Sequence, residues 1–350
     1  ALGLQTKQAV LNVFVKNPNT LNEHFITMHH LIRPNIYKLL DNPADNNKPA
    51  EGKAAPSPFD RFEGLRGINP ACIFGPYATG VAGLIDLMVR VFCTPQYDNI
   101  LIARPCDEAW LRLARFNDVE YRCTDIASDL APDANAIKTT KNNRSKLLLL
   151  SHPNSVLGSI ISAERAREIA AGFEGLTIVD ESLLDFSGKP SLLPLLSENR
   201  RIVILRSVYR QSTDEQPLGF AIAAPETVRV LQKAGTLLGT YDPDWQAAAN
   251  RQKTYNDVHT WRCTLIDERR KVAPAIAQLP VCTGVLPGFG DFVVARFKNA
   301  ERVAQRLAEE GIPFKRLTEL EGYGDCLRLP IRLPHQNSEL LRVLRTHNLH

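Results

Sequence analysis

From about residue 70 the chain alternates short apolar runs with amphipathic stretches, and the two periods are easy to separate. Residues 99–105, 119–123, 146–151, 176–180, 202–206 and 218–223 read as strands. The run Lys146-Leu-Leu-Leu-Leu-Ser151 has no polar interruption, as expected of a strand buried on both faces. Between these runs, Val81 to Val91 and Trp110 to Phe116 carry helical spacing. Ser162 as N-cap, Glu164 in the first turn and Gly172 beyond the end frame a further helix to about Ala171. Apolar strands separated by helices predict a mostly parallel sheet covered on both sides.

The pattern changes near residue 236. Residues 243–272 are compatible with one long helix, with Pro274 beyond its end. Residues 292–297 read as a strand, and 299–311 as a helix framed by Asn299, Glu301 and Gly311, with Val303 and Leu307 on one face. A strand at 326–331 and a closing helix at 337–346 complete a unit of α+β type. The expected organisation is an N-terminal arm or linker (1–60), a large α/β domain (61–235) and a small α+β domain (236–350). Within the arm, residues 21–40 suit a helix interrupted at Pro34, and 41–58 form a Pro-, Asn- and Gly-rich linker.

Composition narrows the class. An apolar content of 44% with 23% charged residues fits a soluble globular protein and excludes disordered and fibrous chains. The net charge of +4 comes with no basic block interleaved with aromatics, so nucleic-acid binding has no support. No apolar run is long enough to span a bilayer, and Ala1-Leu-Gly-Leu-Gln lacks the form of a signal peptide. Seven widely spaced cysteines without a CxxC imply reduced thiols and a cytoplasmic setting. His29, His30 and His335 lack partners at ligand spacing, so no metal is expected.

Several local motifs occur in a telling order. They are Gly75-Pro-Tyr-Ala-Thr-Gly80 before a helix, Ser151-His-Pro-Asn-Ser-Val-Leu-Gly158, Val179-Asp-Glu181, Ser191-Leu-Leu-Pro-Leu-Leu196, Leu218-Gly-Phe-Ala-Ile-Ala223 and Cys326-Leu-Arg-Leu329. Over about residues 70 to 345 this order resembles the fold-type I aminotransferases of the histidinol-phosphate aminotransferase and threonine-phosphate decarboxylase branch. The resemblance implies their fold and a homodimer with active sites at the subunit interface. It also implies a site for pyridoxal phosphate (PLP). Tyr77, Ala78 and Thr79 would form the phosphate turn, Asp107 would stand at the ring-stacking position, and Asp180 would face the pyridinium nitrogen. Asn154 and Ser155 lie in the substrate and cofactor loop, and Arg328 matches the arginine that grips a substrate carboxylate.

The departures from that family are concentrated at the cofactor. The lysine that binds PLP covalently is replaced by Arg210, which stays protonated and cannot condense with an aldehyde. Tyr209 replaces a serine or threonine, Ser155 the asparagine that meets the cofactor's phenol oxygen, and Asp107 an aromatic ring. Leu183 replaces a tyrosine, Asp291 an asparagine, and the phosphate-binding arginine has no counterpart in Thr213-Asp-Glu-Gln-Pro217. The expectation is therefore a degenerate member with no cofactor. Arg210, Tyr209 and Asp180 are its candidate catalytic groups, and Arg210 is expected to pair with Asp180 or Glu181. The alternative is a surface Arg210, with Asp180 capping a neighbouring turn. Tyr209 as a filler of space and Arg328 as a structural ion pair also remain open.

Three functional readings follow. One is a binding, regulatory or partner-subunit role, as homodimer or as heterodimer with an active homologue, with a small acidic or phosphorylated ligand. Another is PLP-independent chemistry in the same pocket. The last is an active aminotransferase whose lysine is elsewhere, with Lys189 and Lys233 the nearest alternatives. His152 and Ser155 do not make a hydrolase, because no third member is placed. Trp245 and Trp261 are expected in core or interface.

Overall fold

A computed structural model describes residues 30–40, 59, 63–208, 217–241 and 255–345. The apolar runs form the sheet that their pattern predicts. Its strands are β1 (Ile73–Tyr77), β2 (Asn99–Ala103), β3 (Glu120–Thr124), β4 (Ser145–Ser151), β5 (Leu176–Asp180), β6 (Ile202–Val208) and β7 (Leu218–Ile222), in the order β1-β7-β6-β5-β4-β2-β3. From β3 to β6 all neighbours are parallel, and β7 runs antiparallel to both β6 and β1.

Alternate residues of each strand enter opposite cores, as the pleat requires. Leu147, Leu149, Val203 and Leu205 pack under α2 (Gly80–Phe92), α3 (Glu108–Phe116) and α6 (Pro225–Leu237). Leu148, Leu150, Ile202 and Ile204 face α4 (Ala134–Thr140) and α5 (Ala163–Ala171). This double coverage is why the strands read as unbroken apolar runs. The foreseen caps form: Ser162 accepts from Arg165 N at 3.1 Å, and Asn299 from Arg302 N at 3.0 Å.

A second, antiparallel sheet has the order β10-β11-β9-β8, from β8 (Cys282–Val285), β9 (Phe292–Phe297), β10 (Lys315–Arg316) and β11 (Cys326–Pro330). Val293, Ala295, Leu327 and Leu329 point to α7 (Tyr255–Ala277), α8 (Ala300–Glu309) and α9 (Pro334–Leu344). Phe292, Val294 and Cys326, on the other face, pack with Leu157 of the large-sheet unit. Period two therefore turns Arg328, between Leu327 and Leu329, toward the large sheet.

Some local expectations change. Pro34 opens α1 (Pro34–Leu40) rather than interrupting a helix, since a first-turn proline loses no hydrogen bond; residues 21–29 lie outside the described residues. The described part of the long helix runs from Tyr255 through Pro274 to Ala277, with 243–254 and Trp245 outside the described residues. Trp261 packs edge-on against Phe186 at 5.7 Å. Strand β1 was not foreseen, because Gly75-Pro76 reads as a turn. As an edge strand it tolerates the proline.

Candidate functional site

A cleft of about 370 Å³ opens at the carboxyl ends of the parallel strands, between the large sheet and the face of the small sheet that carries Arg328. Open α/β sheets bind ligands at this end. Its first wall is the start of α2, where Thr79, Gly80, Val81 and Ala82 line the space. The N-cap residue of this 13-residue helix, Thr79, makes no side-chain bond to its first amides. They present N–H groups and the positive end of the helix dipole to the cleft. Gly80 has φ +68, and a Cβ on Gly219 of β7 would lie 2.6 Å from the Gly80 carbonyl. Glycine at both positions lets the helix start sit directly on the strand.

The loop after β4 is built by Asn154. Its Oδ1 accepts from Val156 N and Leu157 N, both at 2.9 Å, and its Nδ2 donates to Pro105 O at 2.7 Å. Asn154 thus spends its side chain on the loop, and it is Ser155 that lines the cleft. The Ser155 hydroxyl is buried and has no partner among the described residues. His152 Nδ1 accepts from Ile161 N at 2.9 Å and its Nε2 meets Pro190 O at 3.3 Å. With both ring nitrogens engaged by backbone and its pKa lowered by burial, His152 is a neutral structural residue.

Two consecutive carboxylates end β5. Asp180 lines the cleft, and its Oδ1 accepts from Ser182 N at 2.8 Å and from the Ser182 hydroxyl. No cation meets it among the described residues. Removal from water raises its pKa to about 6, against the lowering effect of the Ser182 bonds. Glu181 turns the other way, into the protein. It pairs with Arg206 Nε at 3.0 Å and accepts from Ser191 Oγ and Leu192 N, each at 2.7 Å. Asp185 adds a contact to Arg206 at 3.4 Å and one to Arg262 of α7 at 3.3 Å. Arg210 was expected beside Asp180 or Glu181; among the described residues the cation beside Glu181 is Arg206. Arg210 and Tyr209 lie outside the described residues, in the segment joining Val208 to Pro217.

Other expected cofactor residues separate. Thr79 lines the cleft, whereas Tyr77 packs its ring on Phe74 at 5.9 Å in the core beneath, and Ala78 lies outside the lining. Asp107 lines the cleft and caps α3, accepting from Ala109 N at 2.9 Å. Trp110, one turn on, is buried and supplies an aromatic wall.

The facing wall carries charge. Arg328 lies over the Phe292 ring at 3.8 Å and 3.9 Å from Asp291, whose pKa is raised by burial and drawn back by Arg328. Directly across the β10–β11 ladder from Arg328 is Lys315, which also lines the cleft and pairs with Glu108 on α3 at 3.1 Å. Lys315 was not legible in the sequence, because β10 is two residues long and shows no period. Its one signal was a basic residue opposite Arg328 in a hairpin register that only the structure fixes. Lys189 sits on the Phe289 ring at 4.5 Å, and neither it nor Lys233 lines the cleft. All seven cysteines are free thiols, and no helix among the described residues is long and apolar enough to cross a membrane. No cluster suited to a metal occurs among the described residues.

Comparison with known proteins agrees with this architecture. The family model for aminotransferase class I and II matches residues 76–209. Histidinol-phosphate aminotransferase from Bacteroides fragilis is 27% identical over 342 residues, covering 91% of this chain and 99% of that protein. The solved histidinol-phosphate aminotransferase from Clostridium acetobutylicum superposes with a TM-score of 0.67 at 19% identity, over 82% of this chain and 87% of that one. That from Sinorhizobium meliloti, in complex with pyridoxal 5′-phosphate, gives 0.61 at 17% identity, over 89% and 88%. The fold is that of the fold-type I aminotransferases. The expectation that the cleft has no cofactor is overturned: its likenesses run to aminotransferases, and a neighbour of the same fold holds PLP.

Proposed function

We propose that this chain is an aminotransferase-like protein that binds PLP and an acidic amino compound in the cleft, with a non-covalent hold on the cofactor where Arg210 replaces the lysine. The observation that carries this reading is the pair of walls. An open helix start and an Asp180 that meets no cation among the described residues face two cations, Lys315 and Arg328, placed directly opposite each other on one face of a hairpin. Like charges in that register repel, and anions are the ligands that relieve them.

The residues present fit the cofactor. The amides at Gly80, Val81 and Ala82 suit a phosphate. Asp180 suits a protonated ring nitrogen, which would return its raised pKa toward the ordinary carboxylate range. Trp110 offers a ring wall and Ser155 an unused hydroxyl. Bound there, PLP supplies an electron sink for an amino substrate. Arg328 then orients a substrate carboxylate, Lys315 receives a second acid group, and the small sheet excludes water from that side. Among the described lining residues the sole lysine is Lys315, which is engaged by Glu108. Arg210 cannot replace the missing amine, so transamination is lost or slow. The outcome is a binding, regulatory or partner-subunit role in a cytoplasmic homodimer or in a dimer with a lysine-bearing relative.

A PLP titration of the full chain tests this. Saturable quenching of tryptophan fluorescence is expected, with no pyridoxyl group fixed on the protein by borohydride. Arg210→Lys should gain one such group, located at residue 210 by mass spectrometry. Absence of PLP binding, or pyridoxyl capture on a lysine of the unaltered chain, would overturn the proposal.

A further inference from the structure

We infer that Glu108 is a charge latch on this cleft. At rest it holds Lys315 across the mouth, and it gives Lys315 up to the acid group of an incoming ligand. This rests on the reading that the cleft takes an acidic amino compound.

Glu108 lies between two residues that line the cleft, Asp107 and Ala109, on the first turn of α3. Its partner is 207 positions away and belongs to the other sheet, so the 3.1 Å contact bridges the two walls. Both side chains are about half exposed, at 55% and 49%. Exposed pairs of this kind contribute little, so the contact is readily exchanged. Exchange leaves neither charge alone. Arg112, one turn along α3, stands 3.6 Å from Glu108 and remains its counter-ion after Lys315 leaves. Lys315 in turn needs an anion, because Arg328 faces it across the ladder.

Arg328 differs in kind. Its acidic neighbour, Asp291, lies within the cleft rather than at the rim. A ligand with one carboxylate can meet Arg328 and leave the latch shut. A ligand with a second, distal acid must open it. Glu108 thereby sets both the entry cost and the selectivity for diacidic ligands.

Calorimetry on the full chain with PLP present, using O-phospho-L-serine against L-serine, tests the latch. The two probes differ only in the distal phosphate. Glu108→Gln should bind O-phosphoserine about two- to five-fold more tightly than the unaltered chain and bind serine unchanged, the span expected from releasing an exposed ion pair. Arg112→Gln, which removes the counter-ion left to Glu108 once Lys315 departs, should shift O-phosphoserine the opposite way. In a Lys315→Gln background the Glu108→Gln gain should vanish. Equal or weaker O-phosphoserine binding by Glu108→Gln overturns the latch, as does PLP binding with no O-phosphoserine binding by either protein. Failure of the unaltered chain to bind PLP at all counts against the underlying reading instead, and the O-phosphoserine series without PLP still decides the latch.

Discussion

Asp180 and Glu181 are consecutive residues at the end of β5, and the pleat sends them to opposite sides. Glu181 is fully enclosed and saturated: a guanidinium, a hydroxyl and a backbone amide account for both carboxylate oxygens. Asp180 faces the cleft with only Ser182 for support among the described residues. Burying a carboxylate beside its cation is roughly neutral for stability, whereas holding one without a cation costs free energy. The first holds the strand end in place. The second carries a cost that a cationic ligand group would offset, which is the role proposed for it toward the PLP ring nitrogen.

The contrast can be broken most forcefully at Glu181. Glu181→Gln leaves Arg206 buried with only the longer contact to Asp185, and should destabilise the fold by about 3 kcal/mol in urea unfolding at pH 7. Adding Arg206→Met should recover much of that loss. A change below about 0.5 kcal/mol would make the pair ornamental.

Asp180→Asn should act in the other direction. A carboxyl raised from 3.8 to about 6 gives its full stability below pH 3.8 and loses it as pH rises through 6. The asparagine variant should therefore match the parent near pH 3.5 and exceed it by about 2 kcal/mol at pH 8. The same variant should bind PLP roughly tenfold more weakly, the loss of one charge-assisted hydrogen bond. Unchanged PLP affinity would separate Asp180 from the ring nitrogen. The smallest effect belongs to Ser182→Ala. Without the hydroxyl, Asp180 should titrate higher still, with a stability change under about 1 kcal/mol at pH 7, because the Ser182 amide still donates.

Legibility in the sequence followed the range of the interaction. Both helix caps, at Ser162 and Asn299, were readable because a cap is settled within three residues. The parallel strands were readable because burial on both faces leaves an apolar run. Helix α4 was not, having little apolar periodicity, although Asp133 caps it. Among site residues, Thr79, Ser155, Asp180 and Arg328 line the cleft, since each sits at a fixed step from a strand or helix end. Asn154 and Tyr77 have the same local setting and turn into loop and core instead. The difference lies in neighbours distant in the chain: Pro105 for Asn154, and Phe74 with the α2 core for Tyr77.

The sequence by itself determined the two sheets, the direction of Asp180 and Arg328, and the presence of an arginine at 210, because period and position are properties of the chain alone. Tertiary structure decided which charges meet. Glu181 finds Arg206 because β6 lies beside β5 in a register that pairs Asp180 with Leu205, one residue short of that contact. Lys315 finds Glu108 because two sheets face each other across a cleft. An ion pair depends on distance and solvent exclusion, and neither is written in sequence order.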